Sequence, residues 1–272
     1  MTTRHGLGLL VATAIWAGGA SAAPQRIASL NLCADQLVLE LVDPSRITSV
    51  TWLARDATQS AMADAAMRVP INHGKAEEII PQNPDLVLVG QFTVRAATAL
   101  LRRLGARVET VGQPRDLAGV RAEILRAGAL LGEEARAAEV VTRLDRRLAA
   151  LPPATLPRPV AALLRPNGVT AGPGSLVDSL LAAAGYENFS ARLGLDRNDR
   201  LPLEALIVGR PDILVIDRRD FALPSLAQTY QNLPMVGRAV PRRVVIPNWA
   251  WVCAGSAIAE AAERLAAGRL DS

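Results

Sequence analysis

Aromatic residues make up only 3% of this 272-residue chain, lysine occurs once, at Lys75, and histidine and cysteine occur twice each. Each scarcity closes off a class of function. His5 lies in the N-terminal leader, so His73 is the one histidine left for chemistry in the body of the chain. A Ser-His-Asp or Cys-His engine would have to be built on it, and no G-x-S-x-G turn accompanies it. A site for bare zinc or manganese needs about three converging histidine, cysteine or carboxylate ligands, and neither C-x-x-C nor H-x-x-x-H occurs. An exported α/β hydrolase and a bare-metal carrier therefore stand only as alternatives. The chain reads as a binder, with no catalytic residue, metal site or resident cofactor expected.

Long apolar runs are also lacking, apart from Leu7 to Trp16. That run follows Arg4 and His5 and precedes the small residues Ala20-Ser21-Ala22, the order of a secretory signal peptide cleaved after Ala22 or Ala23. It is short of the ~20 residues a spanning helix needs. The expected location is the periplasm, reached through a leader spanning residues 1–22. With 50% hydrophobic residues, the remainder can bury one large core or two moderate ones. Net charge is +4, almost all of it arginine. These arginines stand singly or in pairs among Glu and Asp along helical segments, the pattern of solvated helix faces rather than a nucleic-acid patch. A mildly positive surface also suits capture of an anion.

What is present is a duplication around a helical centre. The segment from Asp116 to Leu151 carries apolar residues three and four apart at Val120, Ile124 and Leu125, then at Ala138, Val141, Leu144 and Leu148, with a break at Gly132. Before it stands Glu77, six residues, Pro84-Asp85 and an aliphatic strand; after it stands Glu204, six residues, Pro211-Asp212 and another. Strands are expected over 26–30, 47–52, 86–89 and 107–111 in the first half, and over 159–164, 213–216 and 244–246 in the second. Asn31 to Asp35 reads as a turn into a helix over 36–42, and residues 55–69 as a loop with one helical turn. Ser175 and Asp178 form a capping box for a helix from Leu176. Alternation of strand and helix argues parallel sheets covered on both faces. The fold expected is α/β: two parallel-sheet lobes, residues 23–115 and 152–272, bridged by a helical spine over 116–151, with the ligand cleft between the lobes.

The run Ser29-Leu-Asn-x-Cys33-x-Asp35, the doubled E-x6-Pro-Asp strand, the T-x-G-x-x-S to AG-x-x-N stretch from Thr170 to Asn188 and the tryptophan loop before the last helix resemble the periplasmic solute-binding proteins of ABC importers for iron-siderophores and cobalamin. The resemblance runs from Arg26 to Leu265. It implies two α/β lobes on one long helix, a cleft holding one bulky metal complex (a corrinoid, a ferric siderophore or haem) and little hinge motion. It also implies that Glu77 and Glu204 dock onto arginines of a dimeric ABC permease at the inner membrane. A monomer is expected.

Ligands of such sheets bind beyond the carboxyl ends of the strands. That position nominates Asn31, Cys33, Trp52, His73, Gln91 and Phe92 from the first lobe, and Asn167, Thr170, Trp249 and Trp251 from the second. For the cysteines three readings stay open: a Cys33–Cys253 disulfide tying the lobes together, free thiols that are buried or line the cleft, or ligation of a bound metal complex by thiolate or His73.

Overall fold

Parallel pairing runs through both sheets of the computed structural model, which describes residues 22–93, 95–218 and 229–270. Apart from Ala22, the expected signal peptide lies outside the described residues. The first lobe contains β1 (Ile27–Ser29), α1 (Leu32–Leu41), β2 (Ile47–Thr51), α2 (Ala63–Ala66), β3 (Ile71–Asn72), α3 (Ala76–Ile79), β4 (Leu86–Gly90), α4 (Arg95–Arg103) and β5 (Val108–Val111). Helices α5 (Leu117–Leu131) and α6 (Glu134–Ala149) follow. The second lobe contains β6 (Val160–Leu164), α7 (Leu176–Ala183), β7 (Glu187–Asn188), α8 (Phe189–Arg192), α9 (Leu203–Gly209), β8 (Ile213–Arg218), α10 (Thr229–Asn232), α11 (Pro234–Ala239), β9 (Arg243–Pro247) and α12 (Ile258–Leu270).

The sheet orders are β3-β2-β1-β4-β5 and β7-β6-β8-β9. Strands β4 and β6 are buried at every residue, as the unbroken aliphatic runs of doubly covered parallel strands require. In each sheet the strand order reverses once, between β1 and β4 and between β6 and β8, and the loops leaving those strands open a crevice at that point.

The duplicated Pro-Asp has a structural reason. Asp85 accepts the backbone N–H groups of Gln25 (2.7 Å) and Arg26 (3.0 Å) at the start of β1, and Asp212 accepts that of Val160 (2.7 Å) at the start of β6. Each carboxylate satisfies the otherwise unpaired start of the neighbouring strand. Two residues before each aspartate the chain turns through a left-handed residue, Asn83 (φ 45°) and Arg210 (φ 41°), so the conformation repeats along with the sequence.

The bridge is a pair of helices rather than one. Gly132 takes φ 70°, which favours glycine, and returns the chain so that Arg121 of α5 pairs with Asp145 of α6. The helices cross closely at Gly128, where an added Cβ would meet the Ala137 methyl at 2.3 Å. This crossing sets the buried stripe of α6 as Ala137, Val140 and Leu144, and Ala138 of the expected stripe faces solvent. Leu125 is likewise exposed. The pair serves both lobes. Its buried residues belong to one continuous apolar core with Leu37, Leu41 and Leu88 on one side and Leu180, Trp251, Ile258 and Leu265 on the other.

Two other local expectations shift, and a third, the helical turn within 55–69, is met. Helix α1 begins at Leu32, because Asn31 accepts the Cys33 N–H at 3.0 Å and caps it there. The first sheet gains the edge strand β3, two residues long and too short to show a period. Segment 55–69 contains a single helical turn, α2, held by Arg55 on the carbonyls of Ala66 and Val69.

Candidate functional site

The two crevices face each other across a cleft of about 440 Å³, within the size range of small-molecule sites. First-lobe residues on its wall are Gln91 and Phe92 after β4, then Gln113, Pro114 and Arg115 on the way to α5. From the second lobe come Arg165 after β6, Ala171, Ser175, Leu176 and Val177 at the start of α7, Arg197 and Asn198, and Trp251 with Val252. Three arginines, Arg115, Arg165 and Arg197, thus line one compartment, and among the described residues no carboxylate joins them on its wall. The donor set is suited to oxygen anions of carboxylate, phosphate or hydroxamate type.

Arg165 is the most fixed of the three. It follows β6 directly, where Asn167 (φ 62°) and Gly168 (φ 75°) reverse the chain and the Arg165 N–H reaches the Val169 carbonyl at 2.8 Å. Its Nε lies 3.3 Å from Asp217 Oδ2, and its guanidinium carbon lies over the Trp251 ring, 5.5 Å from the centroid. Asp217 is fully buried; both its oxygens accept the Asn248 amide (3.1 and 3.2 Å), and Oδ1 faces the Trp251 indole N–H at 3.4 Å.

A smaller compartment of about 280 Å³ lies within the first lobe and shares Phe92 with the cleft. Asn31, Thr51, Trp52, Leu53, His73 and Gly74 line it. Phe92 is 78% exposed and Trp52 49%, so both rings are presented to solvent beside the crevice. His73 pairs with Glu78 at 3.2 Å, and the hydrogen bond from the His73 backbone N–H is the main influence holding the Glu78 carboxyl below its usual range. Below this wall Asp35 is buried. Its carboxyl is pushed up to about 6 by burial, against hydrogen bonds from Ser29 and from the Thr51 hydroxyl and N–H.

Gln91, Phe92 and Trp251 border the cleft, whereas Asn31, Trp52 and His73 border the smaller compartment. Trp251 is only 2% exposed, with its face under Arg165 and its N–H directed to Asp217, so it supports the wall instead of offering a stacking surface. Asn167, Thr170 and Trp249 line neither compartment. Asn167 supplies the left-handed turn, and Thr170 is buried with its hydroxyl bonded to the Leu163 carbonyl and Ser190 (2.8 Å each). Trp249 packs against the central core. Cys33 is bonded to Cys253, with Cα atoms 4.9 Å apart, beside the cleft residue Val252. Reasoning from the sequence missed Arg115, Arg165 and Arg197. Arg165 carried a usable signal, since it is the first residue after a buried strand.

The family profile described as periplasmic binding protein matches residues 27–235. This chain belongs to the periplasmic binding protein family. A cobalamin-binding protein of Halobacterium salinarum is 26% identical over 202 residues, 71% of this chain and 53% of that one. The chain therefore spans about half the length of this curated relative. Among solved structures, the apo periplasmic heme-binding protein RhuT from Roseiflexus sp. RS-1 superposes with a TM-score of 0.71 at 21% identity, covering 91% of this chain and 98% of that one. An ABC-type Fe3+-hydroxamate transport protein from Saccharomonospora viridis gives 0.69 at 24% identity, covering 90% and 93%. At such identities the likeness is one of fold: two parallel α/β lobes with a crevice between them.

Proposed function

We propose that this chain captures one bulky, anionic metal complex between its lobes and delivers it to an ABC permease in the inner membrane. The observation that carries the reading is the convergence of Arg115, Arg165 and Arg197 on one cleft. Guanidinium pairs with carboxylate and hydroxamate oxygens in charge-assisted hydrogen bonds, stronger than neutral ones. Haem and ferric siderophores carry such groups, and the named ligands of the structural neighbours above include heme and Fe3+-hydroxamate. The exposed rings of Trp52 and Phe92 beside the cleft suit the planar or apolar part of such a ligand. A corrinoid is the competing ligand, favoured by the cobalamin-binding relative.

Delivery rests on Glu77 and Glu204. Both are exposed, each in the first turn of its helix, α3 and α9, and neither makes a hydrogen bond or ion pair among the described residues. One unspent carboxylate per lobe fits a dimeric permease with a basic rim, where charge complementarity sets orientation and association rate. The protein is a monomer in this reading, exported by the leader over residues 1–22. Titration of the purified protein with hemin, a ferric trihydroxamate and cyanocobalamin, followed by tryptophan quenching, tests the ligand class. Binding of hemin or of the ferric trihydroxamate at micromolar concentration or below is expected. Tight binding of cyanocobalamin alone would turn the assignment to a corrinoid.

A further inference from the structure

We infer that Asp217 is the positioning residue of the cleft, holding Arg165 over Trp251 through an ion pair so that the guanidinium meets the anionic group of the ligand already oriented. The inference rests on the interlobe cleft being the ligand site. Asp217 projects from β8, the strand next to β6, and is fully buried. One carboxylate gathers three parts of the second-lobe wall: Arg165 at 3.3 Å, the Asn248 amide at 3.1 and 3.2 Å, and the Trp251 indole N–H at 3.4 Å. The indole face beneath Arg165 supplies the second restraint, a cation–π contact at 5.5 Å.

Arginine has many rotamers, and ordering it when the ligand arrives would cost affinity; a side chain already fixed at two points avoids most of that cost. The arrangement is notable because simple charge would argue against it. A buried negative group behind the wall weakens the attraction of the cleft for an anion, so its presence there makes sense as a means of placing Arg165. Among the described residues Arg115 and Arg197 are the other cationic groups of the compartment, so a fixed cation stands apart from two carried on loops.

The two effects of Asp217 have opposite signs, and the variant Asp217→Asn separates them. It keeps the shape and one carbonyl oxygen while removing the charge that holds Arg165. The probes are hemin, with its two free carboxylates, and hemin dimethyl ester, which lacks them. Positioning requires that Asp217→Asn bind hemin at least tenfold more weakly while ester affinity changes less than threefold. Tighter hemin binding, as charge removal alone would give, overturns the inference; so does an equal loss for both probes, the mark of a purely structural role. If Asp217→Asn does not fold, Arg165→Lys keeps the cation but loses the planar guanidinium, and the same tenfold loss confined to hemin is expected; unchanged hemin affinity overturns it. If the wild-type protein binds neither probe, the ligand class proposed above fails separately. The inference is then read in the mature protein with Trp52 and Trp249 replaced by Phe, where Asp217→Asn should increase iodide quenching of Trp251 at least twofold. Equal quenching overturns it.

Discussion

Cys33, in the first turn of a first-lobe helix, is covalently joined to Cys253, which follows the second-lobe cleft residues Trp251 and Val252 by two positions and one. A few residues along each chain, Glu40 accepts the Ser256 N–H at 3.2 Å, so the lobes are tied twice at the base of the cleft. The continuous core through α5 and α6 adds a third tie.

The disulfide closes a loop of 220 residues. In the chain-entropy description a bridge of that span stabilises the folded state by about 5 kcal/mol. The double variant Cys33→Ser, Cys253→Ser should therefore unfold at markedly lower denaturant, and a reductant should lower the wild-type midpoint but not that of the variant. Equal midpoints with and without reductant would show that the bridge contributes nothing.

Asp35 gives a pH signature. Its carboxyl is raised from 3.8 to about 6 by burial, against hydrogen bonds from Ser29 and Thr51. Between those values the folded state holds a proton that the unfolded chain has released, so this group's contribution is fully present below about pH 4 and is lost as pH rises through about 6. The loss is on the order of 3 kcal/mol. Asp35→Asn should remove that slope: relative to wild type it gains stability between pH 4.5 and 7.5 in urea unfolding. A constant difference across that range would contradict the burial argument.

The paired aspartates make a simpler case. Asp85→Ala leaves two strand-start N–H groups and Asp212→Ala one without a partner, at a cost of about 1 kcal/mol for each bond lost. Thermal unfolding should register both losses, while ligand affinity stays unchanged, because neither residue lines a compartment.

Much of the fold is legible in the sequence. Continuous aliphatic runs marked the central strands, the Ser175 hydroxyl caps its helix at Asp178 N (3.1 Å) as its spacing implied, and the doubled Glu-x6-Pro-Asp announced two similar lobes. The exact face of α6 was not legible, because Ala137 and Ala138 are equally apolar and only the contact with Gly128 chooses between them. The cleft was half legible. Position after a strand found Gln91 and Phe92, yet the same rule selected Asn167 over its neighbour Arg165. Arg115 and Arg197 sit in loops with no period, and among so many arginines nothing local distinguishes a cleft cation from a solvated one. Nor could the sequence tell that Trp251 lies beneath an arginine, since that depends on Asp217, 34 residues away.

Docking is separable from capture. Glu77→Arg combined with Glu204→Arg should abolish uptake in cells carrying the cognate permease, with ligand affinity and melting temperature nearly unchanged, because both side chains lie outside the cleft. Surviving uptake would remove the two glutamates from the interface.

Hemin binding to wild type and to the triple variant Arg115→Gln, Arg165→Gln, Arg197→Gln, followed by calorimetry at low and high salt, decides whether the three arginines make the cleft an anion receptor. Each charge-assisted bond contributes about 1.5 kcal/mol or more, so the triple variant should bind hemin at least a hundredfold more weakly. The wild-type affinity should fall with salt, as expected for partly exposed charges. Hemin binding that is tight, independent of salt and unaltered by removing the three arginines would contradict the account.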